Sequence, residues 1–155
     1  MYQRILAPLD GSELAECVLP HVTAIATGCM VKDIRLVQVL QDIQVALFAD
    51  LSISEELARQ AEAEQKAAAE SYLRGKVDLL THENLNVEFA ILRGSVAESI
   101  IEYANSNGVD LIIISTHGRS GVSRWIRGSV ADRLLRASCI PILMIRAPGC
   151  EHSIL

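Results

Sequence analysis

Short apolar runs alternate with longer helix-forming stretches along the chain, and this alternation constrains the possible folds more than any other feature. The runs are rich in Ile, Val and Leu and too short for ordinary helices, so they are predicted to be strands. They lie at residues 4–9, 33–40, 86–92, 109–115 and 142–145. Because parallel neighbours need a crossover, strands alternating with helices predict an α/β fold: a doubly wound, five-stranded parallel sheet with helices on both faces.

The intervening stretches carry helix signals. The first runs from Glu13 to about Ala26, and Pro20 should kink or split it before Gly28 ends it. Ser52 and Glu55 have capping-box spacing and open an Ala/Glu-rich helix that extends towards residue 80. Two shorter helices are predicted at 96–104 and 129–137. The fourth strand, VDLIIIS, is apolar at consecutive positions, which is typical of the covered centre of a sheet.

Length and composition exclude several classes of protein. The 155 residues, half of them apolar, fit one domain, which we place at 1–147 with a tail at 148–155. A net charge of −5 and few aromatic residues argue against a nucleic-acid surface. Neither a signal-peptide core nor an apolar run of about 20 residues is found, and the four cysteines lack framework spacing, so we expect a reduced, cytoplasmic protein without membrane contact.

A glycine-rich segment follows the fourth strand. Residues 114–130 read ISTHGRSGVSRWIRGSV, with three glycines and three arginines after an apolar run. Ligands of open α/β sheets bind at the carboxyl ends of the strands, where Asp10 also lies. A helix that begins near Gly128 and Ser129 would offer unpaired N–H groups to an anion, and Gly118 and Gly128 would let the backbone approach it closely. The segment therefore predicts a phosphate site.

These residues resemble the nucleotide-binding branch of the universal stress protein family. The family signature is G-x-x-G, nine residues, then G-S or G-T; this chain has STHG at 115–118, nine residues, and Gly128-Ser129. The opening ILAPLDGS, the runs LVQVL and GVDLIIIS, and the closing IPILMIRAP match its other segments in order. The resemblance covers nearly the whole chain and implies a Rossmann-like fold of the adenine nucleotide alpha hydrolase type.

The resemblance also implies a site for ATP, AMP or a related adenine nucleotide. Asp10 would contact the ribose or adenine, and Pro8 and Val39 would line the adenine pocket. The phosphates would be held by the backbone of Gly118, Arg119 and Gly121 with Ser129 and Val130. The remaining candidate contacts are Leu9, Ser115, His117, Arg127 and Gly128. Ser115 replaces a signature glycine, and we expect its hydroxyl to face the path of the ribose and phosphates, lowering affinity or changing the phosphate pose.

Local charge favours an anionic ligand despite the acidic chain. Between residues 115 and 136 five arginines stand against one aspartate, a net charge of +4. Distant charges are screened beyond about 8–10 Å at physiological salt, so this local excess should dominate. A helix start contributes only about 0.3–1 kcal/mol, so the arginines or a bound Mg²⁺ must help. For Arg133 and Arg136 a solvated helix face is an equal alternative.

Other readings stay open for several residues. Asp10 could serve only as an acid at a helix N-terminus. His117 lacks triad spacing, so we expect it to stabilise its loop rather than act as a base. Cys17 and Cys139 are expected to be small core residues, and a metal site at Cys150 and His152 is a minor alternative.

The resemblance implies a homodimer through the last strand, 142–145, and a role in stress response or signalling. We assign no catalytic residue, so at most weak ATP hydrolysis is expected. Two alternatives remain: a dimeric scaffold or signalling protein of this fold whose pocket Ser115 closes, and a nucleotide-activating or flavin-binding enzyme sharing the fold.

Overall fold

A single parallel sheet organises the computed structural model, which describes residues 2–41, 55–81, 85–116 and 129–146. Its strands are β1 (Arg4–Pro8), β2 (Asp33–Leu40), β3 (Asn86–Arg93), β4 (Leu111–Ser115) and β5 (Ile142–Ile145). They lie in the order β3-β2-β1-β4-β5, and all neighbouring pairs are parallel. The predicted doubly wound α/β sheet is confirmed.

The described helices cover both faces of the sheet. They are α1 (Glu13–Glu16), α2 (Leu19–Cys29), α3 (Glu55–Thr81), α4 (Val96–Ser106) and α5 (Ser129–Ala137). One apolar cluster, here called the α1–α3 face, joins the first three helices to residues such as Ile5 and Ile113. A second, the α4–α5 face, joins the last two helices to residues such as Leu6 and Ile112. Consecutive residues of β1 and β4 are thus buried on opposite faces, as the continuous apolar run predicted.

The first helical stretch is split, as Pro20 suggested. α1 ends at Glu16, and α2 begins at Leu19 with Pro20 in its first turn, where a missing N–H costs nothing. The expectation that Gly28 ends the helix was wrong, because α2 continues to Cys29. Met30 then adopts φ 56°, and the Val31 N–H donates to the Ala26 carbonyl at 2.8 Å. This left-handed residue turns the chain so that Val31 is buried.

The amino-terminal ends of the strands are tied together by charged side chains. Asp33 on β2 pairs with Arg4 on β1 and with Arg35, which also pairs with Glu88 on β3. The Asp110 carboxylate accepts hydrogen bonds from the backbone N–H of Gln3 and Arg4. These contacts brace the end of the sheet opposite the candidate site.

Candidate functional site

The carboxyl ends of β1 and β4 lie side by side at the point where the strand order reverses. The pairs Ile5↔Leu111 and Leu6↔Ile112 set their register, and the chain leaves β1 towards β2 but crosses from β3 back to β4. Open α/β sheets bind ligands in the crevice at such a switch point. Asp10, which is half-buried, stands two residues beyond the end of β1.

Apolar residues line one side of this position. Pro8 is buried, and strand alternation puts it on the same face as Leu6. Val39 is half-buried and packs against the α4–α5 face, two residues beyond the β2 partner of Pro8. Val130, in the first turn of α5, packs against the same face. Pro8 and Val39, here called the apolar strip, lie on one face of the sheet near the strand end that Asp10 follows. An apolar strip suits a flat ring system, and a carboxylate suits hydroxyl donors.

Leu9 lies on the other side of the sheet. Its side chain is 3% exposed and belongs to the core of the α1–α3 face. Its backbone N–H donates to the Val37 carbonyl at 2.8 Å, which continues the β1–β2 ladder past Pro8. The Leu9 side chain therefore packs in the core.

Ser115 ends β4 with its side chain 7% exposed. The Cys17 thiol, just after α1, lies 3.6 Å from the Ser115 hydroxyl oxygen and donates to it. Because Ser115 alternates with Ile113, its side chain belongs to the α1–α3 face. The expectation that this hydroxyl faces the ligand path stays a prediction, because the segment from residue 117 to 128 lies outside the described residues.

Six of the predicted contacts lie outside the described residues. They are His117, Gly118, Arg119, Gly121, Arg127 and Gly128. Ser129 begins α5, so the described helix starts where the phosphate site was predicted to end. Ser52, Cys150, His152 and the predicted tail also lie outside the described ranges.

The described arginines of α5 point to a solvated surface. Arg133 is 65% exposed and lies 3.5 Å from Glu98 on α4, and Arg136 is 74% exposed and lies 2.9 Å from Asp132. Acidic neighbours thus offset both charges. The other arginines between residues 115 and 136 precede α5, and they remain the candidates for contacting phosphate.

Contacts to Asp10 and Ser115 were not anticipated from the sequence. Ser12 donates to Asp10, and the D-G-S order, which is typical of a turn closed by an aspartate side chain, is the signal that could have indicated it. No local pattern predicts the contact between Cys17 and Ser115, since 98 positions separate them. Cys17 is half-buried against the core, whereas Cys139, expected in the core, is exposed in the turn after α5.

Within the described ranges, no three His, Cys, Asp or Glu side chains are grouped closely enough to hold a metal ion. No helix in that same part of the chain has the length and apolar character needed to cross a bilayer.

A family model, a curated relative and a solved structure all relate this chain to the universal stress proteins. The model of the universal stress protein family matches residues 1–146. Universal stress protein MJ0577 of Methanocaldococcus jannaschii is 28% identical over an alignment that covers 94% of this chain and 96% of that protein. A solved structure of MJ0577 superimposes with a TM-score of 0.81 at 27% identity, covering 94% of this chain and 96% of that one.

Two more distant structures share the fold and were solved with ligands. A universal stress protein in complex with cAMP has a TM-score of 0.64 at 17% identity, covering 93% of this chain and 96% of its own. The universal stress protein from Archaeoglobus fulgidus in complex with dAMP has a TM-score of 0.64 at 19% identity, with coverages of 94% and 98%.

Proposed function

The chain belongs to the universal stress protein family, and from that premise we propose that it binds an adenine nucleotide at the carboxyl ends of β1 and β4. The observation that carries the proposal is that Asp10 follows β1 at the switch point, where Pro8 and Val39 lie on the same face of the sheet. The carboxylate would accept hydrogen bonds from ribose hydroxyls, and the strip would pack against the base. The cAMP and dAMP complexes of distant relatives support this ligand class.

The phosphates of the nucleotide would extend from Asp10 towards the start of α5. Ser129 and Val130 begin that helix, and backbone N–H groups at a helix start favour anions. The residues assigned to phosphate by the resemblance, from Gly118 to Gly128, directly precede it. Arginines 119, 124 and 127 or a Mg²⁺ ion would neutralise a triphosphate, which makes ATP the preferred candidate.

We infer that the protein acts in stress response or signalling through its nucleotide-bound state rather than as a proficient enzyme. We assign no catalytic residue, and hydrolysis of ATP would rest on phosphate positioning alone. We place it in the cytoplasm as a homodimer paired through β5. The alternative of a scaffold whose pocket Ser115 closes predicts that the protein binds no nucleotide.

Calorimetric titration tests the proposal. Purified wild-type protein is titrated with ATP, AMP, cAMP and GTP, alongside Asp10→Ala and a control, Asp78→Ala, which removes an exposed aspartate of α3. We expect binding of an adenine nucleotide, a loss of roughly tenfold or more in Asp10→Ala, and no change in Asp78→Ala. Absence of binding of every nucleotide at millimolar concentration would refute the proposal.

A further inference from the structure

The Asp10 carboxylate is held by the residue two positions later. Its Oδ1 atom accepts one hydrogen bond from the Ser12 backbone N–H at 2.9 Å and a second from the Ser12 hydroxyl at 2.6 Å. Gly11, between them, has φ 84°, which favours glycine and lets the chain fold back on the aspartate. Two donors on one oxygen fix the plane of the carboxyl group.

The Ser12 hydroxyl is itself oriented by α1. Ser12 is the N-cap of this helix, and its Oγ accepts a hydrogen bond from the Ala15 N–H at 3.2 Å. Because the lone pair faces Ala15, the hydroxyl proton is left to point at Asp10. Ala15 is 5% exposed within the α1–α3 face. Two hydrogen bonds in series therefore connect this packed residue through Ser12 to the Asp10 carboxylate.

We infer that Ser12 is a positioning residue that sets the Asp10 carboxylate to receive the ribose hydroxyls of the bound nucleotide. The inference rests on the proposed function, but it assigns to Ser12 a role separable from capping α1. The two hydrogen bonds from Ser12 restrain the carboxylate before the ligand arrives, and restraining a binding group beforehand lowers the entropic cost of binding. Ser12 acts through Asp10 and is not assigned a contact with the ligand.

The test compares ligands that differ only in the sugar hydroxyls. Wild type, Ser12→Ala, Ser12→Gly and Ser12→Thr are titrated with ATP and with 2′,3′-dideoxy-ATP. Gly is tolerated at an N-cap, so Ser12→Gly keeps most of the capping while losing the hydroxyl, and Thr keeps both functions. We expect the Ala and Gly variants to lose roughly fivefold in affinity for ATP with little change for dideoxy-ATP, and Thr to restore wild-type values.

A double-mutant comparison assigns the effect to Asp10. In an Asp10→Ala background, Ser12→Ala should leave ATP affinity unchanged, since the carboxylate it positions is gone. Equal losses for both ligands would show a merely structural role, and wild-type ATP affinity in Ser12→Gly would show that the hydroxyl is not used; either result overturns the inference while nucleotide binding stands. Binding of neither ligand by wild type would overturn both.

Discussion

The side chain of Ser115, at the end of β4, is oriented partly by a distant residue, because its hydroxyl oxygen lies 3.6 Å from the Cys17 sulfur. The family signature marks this position only as a serine in place of glycine. Its orientation depends on the alternation of β4 and on Cys17, which no local pattern brings to it. Pro8 and Val39 lie on the opposite face of the sheet from this side chain.

The proposed contact between Arg119 and phosphate predicts a loss of affinity that depends on the ligand. Arg119→Ala should weaken ATP roughly tenfold and adenosine little, because a charge-assisted hydrogen bond to phosphate is absent in the nucleoside. Arg136→Ala is the control, since Arg136 already pairs with Asp132 on the helix surface. Calorimetric titration measures the affinity of each variant for ATP and for adenosine. Equal losses for ATP and adenosine would remove Arg119 from the phosphate site.

Met30 carries a backbone conformation that glycine prefers. It is 85% exposed with φ 56°, so its side chain contributes little packing to offset the left-handed strain. Met30→Gly should raise the free energy of unfolding by about 0.5–1 kcal/mol, after allowing for the greater freedom of glycine in the unfolded chain. Urea denaturation measures this, with Met30→Ala as the control that keeps the strain. A destabilised Met30→Gly would contradict the prediction.

At the scale of elements, α1 joins the candidate site to the rest of the molecule. This helix of four residues contacts Asp10 through Ser12, its Glu16 pairs with Lys76 of α3 at 2.7 Å, and Cys17 just beyond it contacts Ser115. A helix this short has little stability of its own. Its position must come from these contacts and from burial of Ala15.

The pair between Glu16 and Lys76 predicts a measurable contribution to stability. Both side chains are half-buried, and Lys76 also lies 5.3 Å from the Tyr72 ring centroid. Lys76→Met should lower the free energy of unfolding by about 1 kcal/mol, less at high salt. Lys66→Met, which removes an exposed pair with Glu70 at 3.8 Å, should cost less than about 0.5 kcal/mol. Equal losses of stability in urea denaturation would show that the Glu16–Lys76 pair stabilises the fold no more than an exposed pair does.

The elements were largely predictable, because their signals are local. β2, α5 and β5 occur at the predicted boundaries, and Pro20 divides the first helical stretch. The end of α2 was misjudged by a rule that expects glycine in the left-handed position, which Met30 occupies instead. The contacts of the site were less predictable. The D-G-S order signals the local contact of Ser12 with Asp10, whereas only tertiary packing brings Cys17 to the Ser115 hydroxyl.

At the scale of the whole molecule, the sheet order creates the site. The alternation of strands and helices predicts a parallel sheet, but several orders of strands satisfy it. The observed order puts β1 beside β4 and leaves β3 and β5 at the edges. The switch point between β1 and β4 brings together Asp10 and the start of the segment that leads to α5.

The exposed edge of β5 predicts self-association. Met144 on this strand is 41% exposed, and an apolar edge strand invites pairing with another chain. Met144→Lys should shift the dimer towards monomer, since a lysine on an edge opposes strand pairing. Met30→Lys, at an exposed methionine outside the strand, should leave the dimer intact. Light scattering measures the molar mass of each variant in solution. A monomeric wild type at working concentrations would contradict the proposed dimer.

A crystal structure of the protein grown with Mg-ATP tests the central claim most directly. We predict density for adenine against Pro8 and Val39, for ribose at the Asp10 carboxylate, and for phosphates beside the start of α5. Side chains filling the crevice between the ends of β1 and β4, with no room for a sugar beside Asp10, would contradict the account.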